Sequence, residues 1–174
     1  MRITAHTDYA LRLLMYLGLK KGGLATIGEI AATYDISRNH LMKVAHQLGI
    51  AGYVESVRGH GGGLRLAKPV ETIMLGHVVR KTEPDMAFVQ CLKSDYTSCA
   101  LLPACVMRQA LKLAGNAFLE VLDGYTLGDL IQSGAKLRAL LAISRPDRNA
   151  APWSRRIPAT VIASRHGARA QPRS

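Results

Sequence analysis

Two short helices joined by a single tight turn, followed by a glycine-rich turn between two short alternating segments, constrain this chain more tightly than any other feature. Thr26-Ile27-Gly28-Glu29 is a capping box. In such a box the threonine hydroxyl accepts the glutamate's backbone N–H, and the carboxylate reaches back to the threonine's own N–H. Ile30, Ala31 and Tyr34 follow at helical spacing. Asp35-Ile36 makes a tight turn, and Ser37 is placed to cap another helix in which Leu41, Val44, Ala45 and Leu48 face inward. Two short helices joined this way form a helix-turn-helix. Residues 53–58, the turn Gly59-His60-Gly61-Gly62-Gly63 and the alternating Leu64-Arg65-Leu66-Ala67 then read as a β-hairpin, or wing. The expected fold is mainly α with a small β-hairpin: a winged helix-turn-helix.

Flanking segments extend that plan. Thr7 is placed to cap a helix over residues 8 to about 20, with Leu11, Leu14, Met15 and Gly18 on one stripe and Gly22-Gly23 ending it. Residues 75–82 predict a short helix, broken by Glu83-Pro84-Asp85. Residues 86–103 show no helical or strand period. Pro103 suits an early position of a long helix over about 104–122. That helix carries two apolar stripes: Val106, Ala110, Leu113, Ala117 and Val121, and beside it Met107, Leu111, Ala114, Phe118 and Leu122. Either a second subunit or a larger monomeric core accounts for both. Thr126-Leu127-Gly128-Asp129 is a further capping signal, predicting a final helix to about residue 143.

Charge points to a polyanion. Twenty-three Lys and Arg against twelve Asp and Glu give +11 over 174 residues, which favours a polyanionic partner such as DNA, RNA or an anionic membrane surface, with double-stranded DNA the first expectation. The outward face of the second helix of the pair offers Ser37, Arg38, Asn39, His40 and Lys43 to base edges and phosphates. Arg58, His60 and Arg65 stand at or near the wing tip, where glycines let backbone approach sugar and phosphate. More than half of the net charge lies after residue 143, where seven arginines, one acid and four prolines read as a disordered basic tail.

The three cysteines, Cys91, Cys99 and Cys105, all fall in the aperiodic stretch or just after it. Seven residues separate the first two and five the last two, so neither pair has the two-residue spacing of a zinc knuckle, although a structural zinc stays open. Three thiolates also suit an iron–sulfur cluster whose last iron takes another donor; His77, Glu83, Asp85, Asp95 and Asp8 are the candidates, and spacing does not choose among them. Asp8 and Arg12 interrupt the apolar stretch near the start, so no signal peptide is read there, and no apolar run reaches the length of a membrane span. The expectation is a cytoplasmic chain with reduced thiols and no membrane partner. No nucleophile with a companion base and no cofactor loop is present, which argues against an enzyme.

These residues resemble the NsrR and IscR superfamily of winged-helix iron–sulfur regulators, and within it the nitric-oxide-sensing NsrR type. The resemblance covers about residues 1–135. It rests on Met1-Arg2-Ile3-Thr4, Thr7-Asp8-Tyr9-Ala10-Leu11-Arg12, Ser37-Arg38-Asn39-His40-Leu41-Met42-Lys43, Gly59-x-x-Gly62-Gly63-x-x-Leu66-Ala67, the three cysteines and Thr126-Leu127-Gly128-Asp129-Leu130. It implies a homodimer with crossing long helices, and a 4Fe-4S cluster held by Cys91, Cys99, Cys105 and Asp8 of the partner subunit. It also implies repression of promoter DNA that nitric oxide relieves. A 2Fe-2S cluster of the IscR type, which takes a histidine three residues beyond the last cysteine, is disfavoured because Arg108 stands there. The nearest alternative is an iron-responsive or cluster-supply-sensing regulator of the same superfamily. The first cysteine interval is longer than in many relatives. The organisation expected is a winged helix-turn-helix over 1–82, a cluster-binding loop over 83–105, dimerisation and C-terminal helices over 104–143, and the basic tail over 144–174.

Overall fold

The computed structural model describes residues 3–87, 89–93 and 95–143, so the expected basic tail lies outside the described residues. The helices are α1 (Ala5–Leu19), α2 (Ile27–Tyr34), α3 (Arg38–Ile50), α4 (Leu75–Thr82), α5 (Val106–Asp123), α6 (Leu127–Leu130) and α7 (Gly134–Leu140). One antiparallel hairpin, β1 (Val54–Val57) with β2 (Gly63–Leu66), sits between α3 and α4, pairing Val54 with Leu66 and Val57 with Gly63. This is a winged helix-turn-helix.

α1 is the centre of the core rather than an amphipathic surface helix. Ala10, Leu13, Leu14, Tyr16, Leu17, Gly18 and Leu19 are all buried, because α3, α4, α6, α7 and β2 pack around it. The predicted stripe is thereby corrected: Leu11 and Met15 are only partly buried. Its cap is corrected too. Thr4, not Thr7, caps α1, and the Thr7 side chain is fully buried, with its hydroxyl donating to Thr82 Oγ1 at 2.9 Å. The cap falls earlier because Thr7 has a tertiary partner to satisfy.

The helix-turn-helix follows the expected pattern. Thr26 and Glu29 form both halves of the capping box, and Asp35 closes α2 in the left-handed region at φ 52°. Ser37 occupies the cap position of α3 but makes no side-chain capping hydrogen bond. Leu41, Val44 and Leu48 are fully buried beneath α3, which stabilises it by about 2 kcal/mol per side chain. Ala25 pairs with Leu64 through two backbone hydrogen bonds, of 3.0 and 2.8 Å, anchoring the wing to the segment before α2. A Cβ on Gly63 would come within 2.8 Å of the Ala25 carbonyl oxygen, so only glycine admits that approach.

Beyond α4 the chain leaves the core and returns. Leu75 N–H donates to Tyr125 at 2.9 Å and Leu127 N–H to Ile73 at 2.8 Å, stitching the two ends of the excursion together. Leu127 is fully buried on the return. The predicted final helix is two short ones, α6 and α7. Thr126 and Asp129 do form the capping box that starts α6. Pro103 lies in a 3-10 turn, Leu102–Ala104, and α5 starts three residues after it. A second 3-10 turn, Gln90–Leu92, holds the first cysteine.

Candidate functional site

The exposed face of α3 is the first part of the site. Ser37, Arg38, Asn39, His40 and Lys43 are all exposed, opposite the buried Leu41, Val44 and Leu48. A side-chain row backed by such a core keeps one orientation, which base readout requires. His40 is not isolated: its ring stacks on Tyr9 of α1, with centroids 6.2 Å apart and planes 25° from parallel. Nothing in the α3 sequence signals that contact, since its partner lies on a different helix.

The wing supplies the second part. Arg58 and His60 are exposed at the turn. Arg65 is exposed as well, but its Nε donates to Glu55 Oε1 across the hairpin, at the register position directly opposite. A side-chain pair this exposed contributes at most about 1 kcal/mol. A phosphate can therefore compete with Glu55 for the Arg65 guanidinium.

The third part is the cysteine segment. Cys91, Cys99 and Cys105 are free and half-buried. Cys105 is the cap residue of α5, its sulfur accepting the Arg108 N–H at 3.4 Å. The Arg108 side chain turns back, and its Nε donates to the Cys91 carbonyl at 2.8 Å. Arg108 thus clips the first cysteine's backbone to the helix that begins at the third. In the sequence Arg108 stands out only as the absence of a histidine; its link to Cys91 spans 17 positions and has no local signature.

The fourth-ligand candidates have different surroundings. Asp8 stands in the first turn of α1, half-exposed, paired with Arg12 at 2.9 Å. Glu83 Oε1 accepts both the Thr4 N–H at 2.8 Å and its hydroxyl at 3.0 Å. Asp85 accepts the Ala87 N–H and pairs with Lys93 at 3.6 Å. Asp95 and His77 are exposed. Asp8, being held by a single exposed ion pair, is freer to change partner than Glu83.

Three thiols with a carboxylate are donors that suit iron, the thiolates soft and the carboxylate hard. In chemistry the residues fit an iron–sulfur group. Among the described residues, no three His, Cys, Asp or Glu side chains converge into a metal-binding set.

The long helix α5 is the last part. Of its eighteen residues only Gly115 is buried. The two apolar stripes have separated only in part, Met107 and Ala114 of the second staying exposed with the first. Leu111, Phe118 and Leu122 are half-covered, on a helix that packs against α4 and the turn holding Cys91, whereas Val106, Ala110, Leu113, Ala117 and Val121 are all exposed. Val106 and Leu113 are 75% and 68% exposed, an unusual state for a row of aliphatic side chains. Arg80 of α4 grips Asp123 at the other end with two hydrogen bonds, 2.7 and 2.6 Å. The Arg80 guanidinium holds the Asp123 carboxyl below its ordinary range. No helix among the described residues is long and apolar enough to cross a membrane.

Comparison with known proteins agrees with this arrangement. Residues 3–133 match the Rrf2 family, described as iron-dependent transcriptional regulators. The chain is 46% identical over 143 residues to the HTH-type transcriptional regulator NsrR of Bacillus licheniformis, a match covering 82% of this chain and all of that protein. The Bacillus subtilis protein of the same name is also 46% identical, over 81% of this chain and 97% of its own. Among solved structures, CymR, the global cysteine regulator of B. subtilis, superposes with a TM-score of 0.62 at 30% identity, covering 76% of this chain and 98% of that one. The IscR of T. potens gives 0.62 at 25% identity, covering 79% and 91%.

Proposed function

Because this chain belongs to the Rrf2 family of transcriptional regulators, a family of DNA-binding proteins rather than enzymes, we propose that it is a homodimeric repressor sensing nitric oxide through a 4Fe-4S cluster. One observation carries the reading. All three thiols of the chain are free and lie in the segment that joins the winged helix-turn-helix to the exposed apolar helix α5. A ligand there bears at once on the DNA-reading half and on the dimer contact.

Cys91, Cys99 and Cys105 would hold three irons, and Asp8 of the partner subunit the fourth. When bound, the cluster would supply an iron whose carboxylate ligand is harder and more weakly held than thiolate, a site open to a small molecule such as nitric oxide. The remaining work belongs to the chain. α3 enters the major groove with Arg38, Asn39, His40 and Lys43, while Arg58, His60 and Arg65 take phosphates. The exposed stripe of α5 pairs with its copy, which fixes the distance between two reading helices and so the half-site spacing. Asp8 shares the first turns of α1 with Tyr9, whose ring lies on His40. A change in what Asp8 binds therefore reaches α3 through one aromatic contact.

The test is anaerobic purification of the full chain, analysis for iron and sulfide, and operator binding during a nitric oxide titration. Bound iron and sulfide with operator release at low nitric oxide is the expected result. A colourless zinc protein, or equal operator affinity with and without cluster, refutes the reading. The family's description as iron-dependent favours a second reading, in which the same cysteines report iron supply; release by chelation but not by nitric oxide would establish it.

A further inference from the structure

We propose that Gln47 is the positioning residue that couples the cysteine-bearing segment to the DNA-reading helix, an inference that rests on the sensor reading above. Its carboxamide is the meeting point of three helices. The Oε1 of Gln47, on α3, accepts from His6 Nε2 in the first turn of α1, and its Nε2 donates to the Lys81 carbonyl at the end of α4, 2.6 Å away. The last four carbonyls of an α-helix have no partner within it. Gln47 supplies one for Lys81 from another element.

The two residues after Lys81 give the contact its meaning. Thr82 accepts the Thr7 hydroxyl, and Glu83 accepts two hydrogen bonds from Thr4, so the entrance to the cysteine segment is clasped by the start of α1. Gln47 is the member of that joint contributed by α3. It lies four residues beyond Lys43 and seven beyond His40, on the stripe of α3 that those two residues begin. α1 therefore touches α3 at two places on one stripe, Tyr9 on His40 and His6 on Gln47. Held at two points about two turns apart, the helix cannot pivot without breaking one. A shift at the entrance of the segment pulls on Lys81 and, through Gln47, tilts the residues that read DNA.

A carboxamide is needed because the joint asks one side chain to accept and to donate. Gln47→Glu keeps the acceptor for His6 but sets a carboxylate oxygen against the Lys81 carbonyl. Gln47→Met keeps the length and loses both bonds. The experiment measures operator Kd by fluorescence anisotropy for the cluster-loaded and the cluster-free full-length protein, in the wild type and both variants. The ratio of the two Kd values is the coupling.

A wild-type ratio of about tenfold or more, falling to within about twofold in both variants while the visible spectrum of the loaded protein stays unchanged, supports the proposal. A ratio kept in both variants overturns it, including the case in which both states weaken equally, as a merely structural role would give. Should Gln47→Glu and Gln47→Met fail to fold, Gln47→Asn keeps the carboxamide but draws it one methylene back from the Lys81 carbonyl, and an undiminished ratio there overturns the proposal just as directly. A wild-type ratio of one removes the sensor reading and this coupling together, whereas a large wild-type ratio retained by the variants removes this inference alone.

Discussion

Asn39 and Arg58 are both exposed and polar, yet they are expected to act on DNA in different ways. Asn39 stands near the N-terminal end of α3, where a carboxamide can pair with the edge of an adenine. Arg58 stands at the wing turn beside glycines, where a guanidinium meets phosphate. Asn39→Ala should cost about 1–3 kcal/mol of discrimination between operator and a base-substituted site. Arg58→Ala should weaken both sites alike and lower the salt slope of binding by about one. Anisotropy titrations at several salt concentrations on both DNAs check this, and a uniform loss from Asn39→Ala would move base readout elsewhere. The types and the order of these residues were legible in the sequence. Their pairings were not: Arg65 with Glu55 and His40 with Tyr9 join side chains that only the folded chain brings together.

Helices α5 and α6 are held in place by different means. α5 has a helical sequence, but its exposed stripe has no partner among the described residues, and the proposed dimer would cover it. Leu113→Arg should convert dimer to monomer by sedimentation velocity with unchanged far-UV circular dichroism, since Leu113 is 68% exposed within one chain. A dimer that survives would place the subunit contact on another surface. α6 depends on its cap. The Thr126 backbone N–H, then its hydroxyl, hold the Asp129 carboxyl below its ordinary range. A depressed carboxylate pKa contributes stability that is present above the unfolded value, about 3.9, and is lost as pH falls through the folded one. Asp129→Asn should therefore lower Tm at neutral pH, and the difference from wild type should close in acid; thermal melts at neutral pH and in acid well below the carboxylate range measure it. A difference that persists in acid would mean that the charge of Asp129 has no part in the cap.

At the scale of the molecule, the excursion from α4 through the cysteine segment and α5 is closed by the backbone bonds joining residues 73–75 to 125–127 and by Leu127 in the core. Leu127→Ala should cost about 2–5 kcal/mol, the usual range for a fully buried leucine, and denaturant melts should show one cooperative loss. A cost near zero would detach the return from the core. The helix-turn-helix, the wing and the cap of α6 were readable from the chain alone, because capping boxes, turn residues and apolar spacing are local properties that act within a few residues. Cap position in α1, the division of the last helix, the clip made by Arg108 and the joint at Gln47 were decided only when distant segments packed, because their partners lie far away in the chain and because a polar group taken out of water, as Thr7 is, must find whichever partner the fold presents.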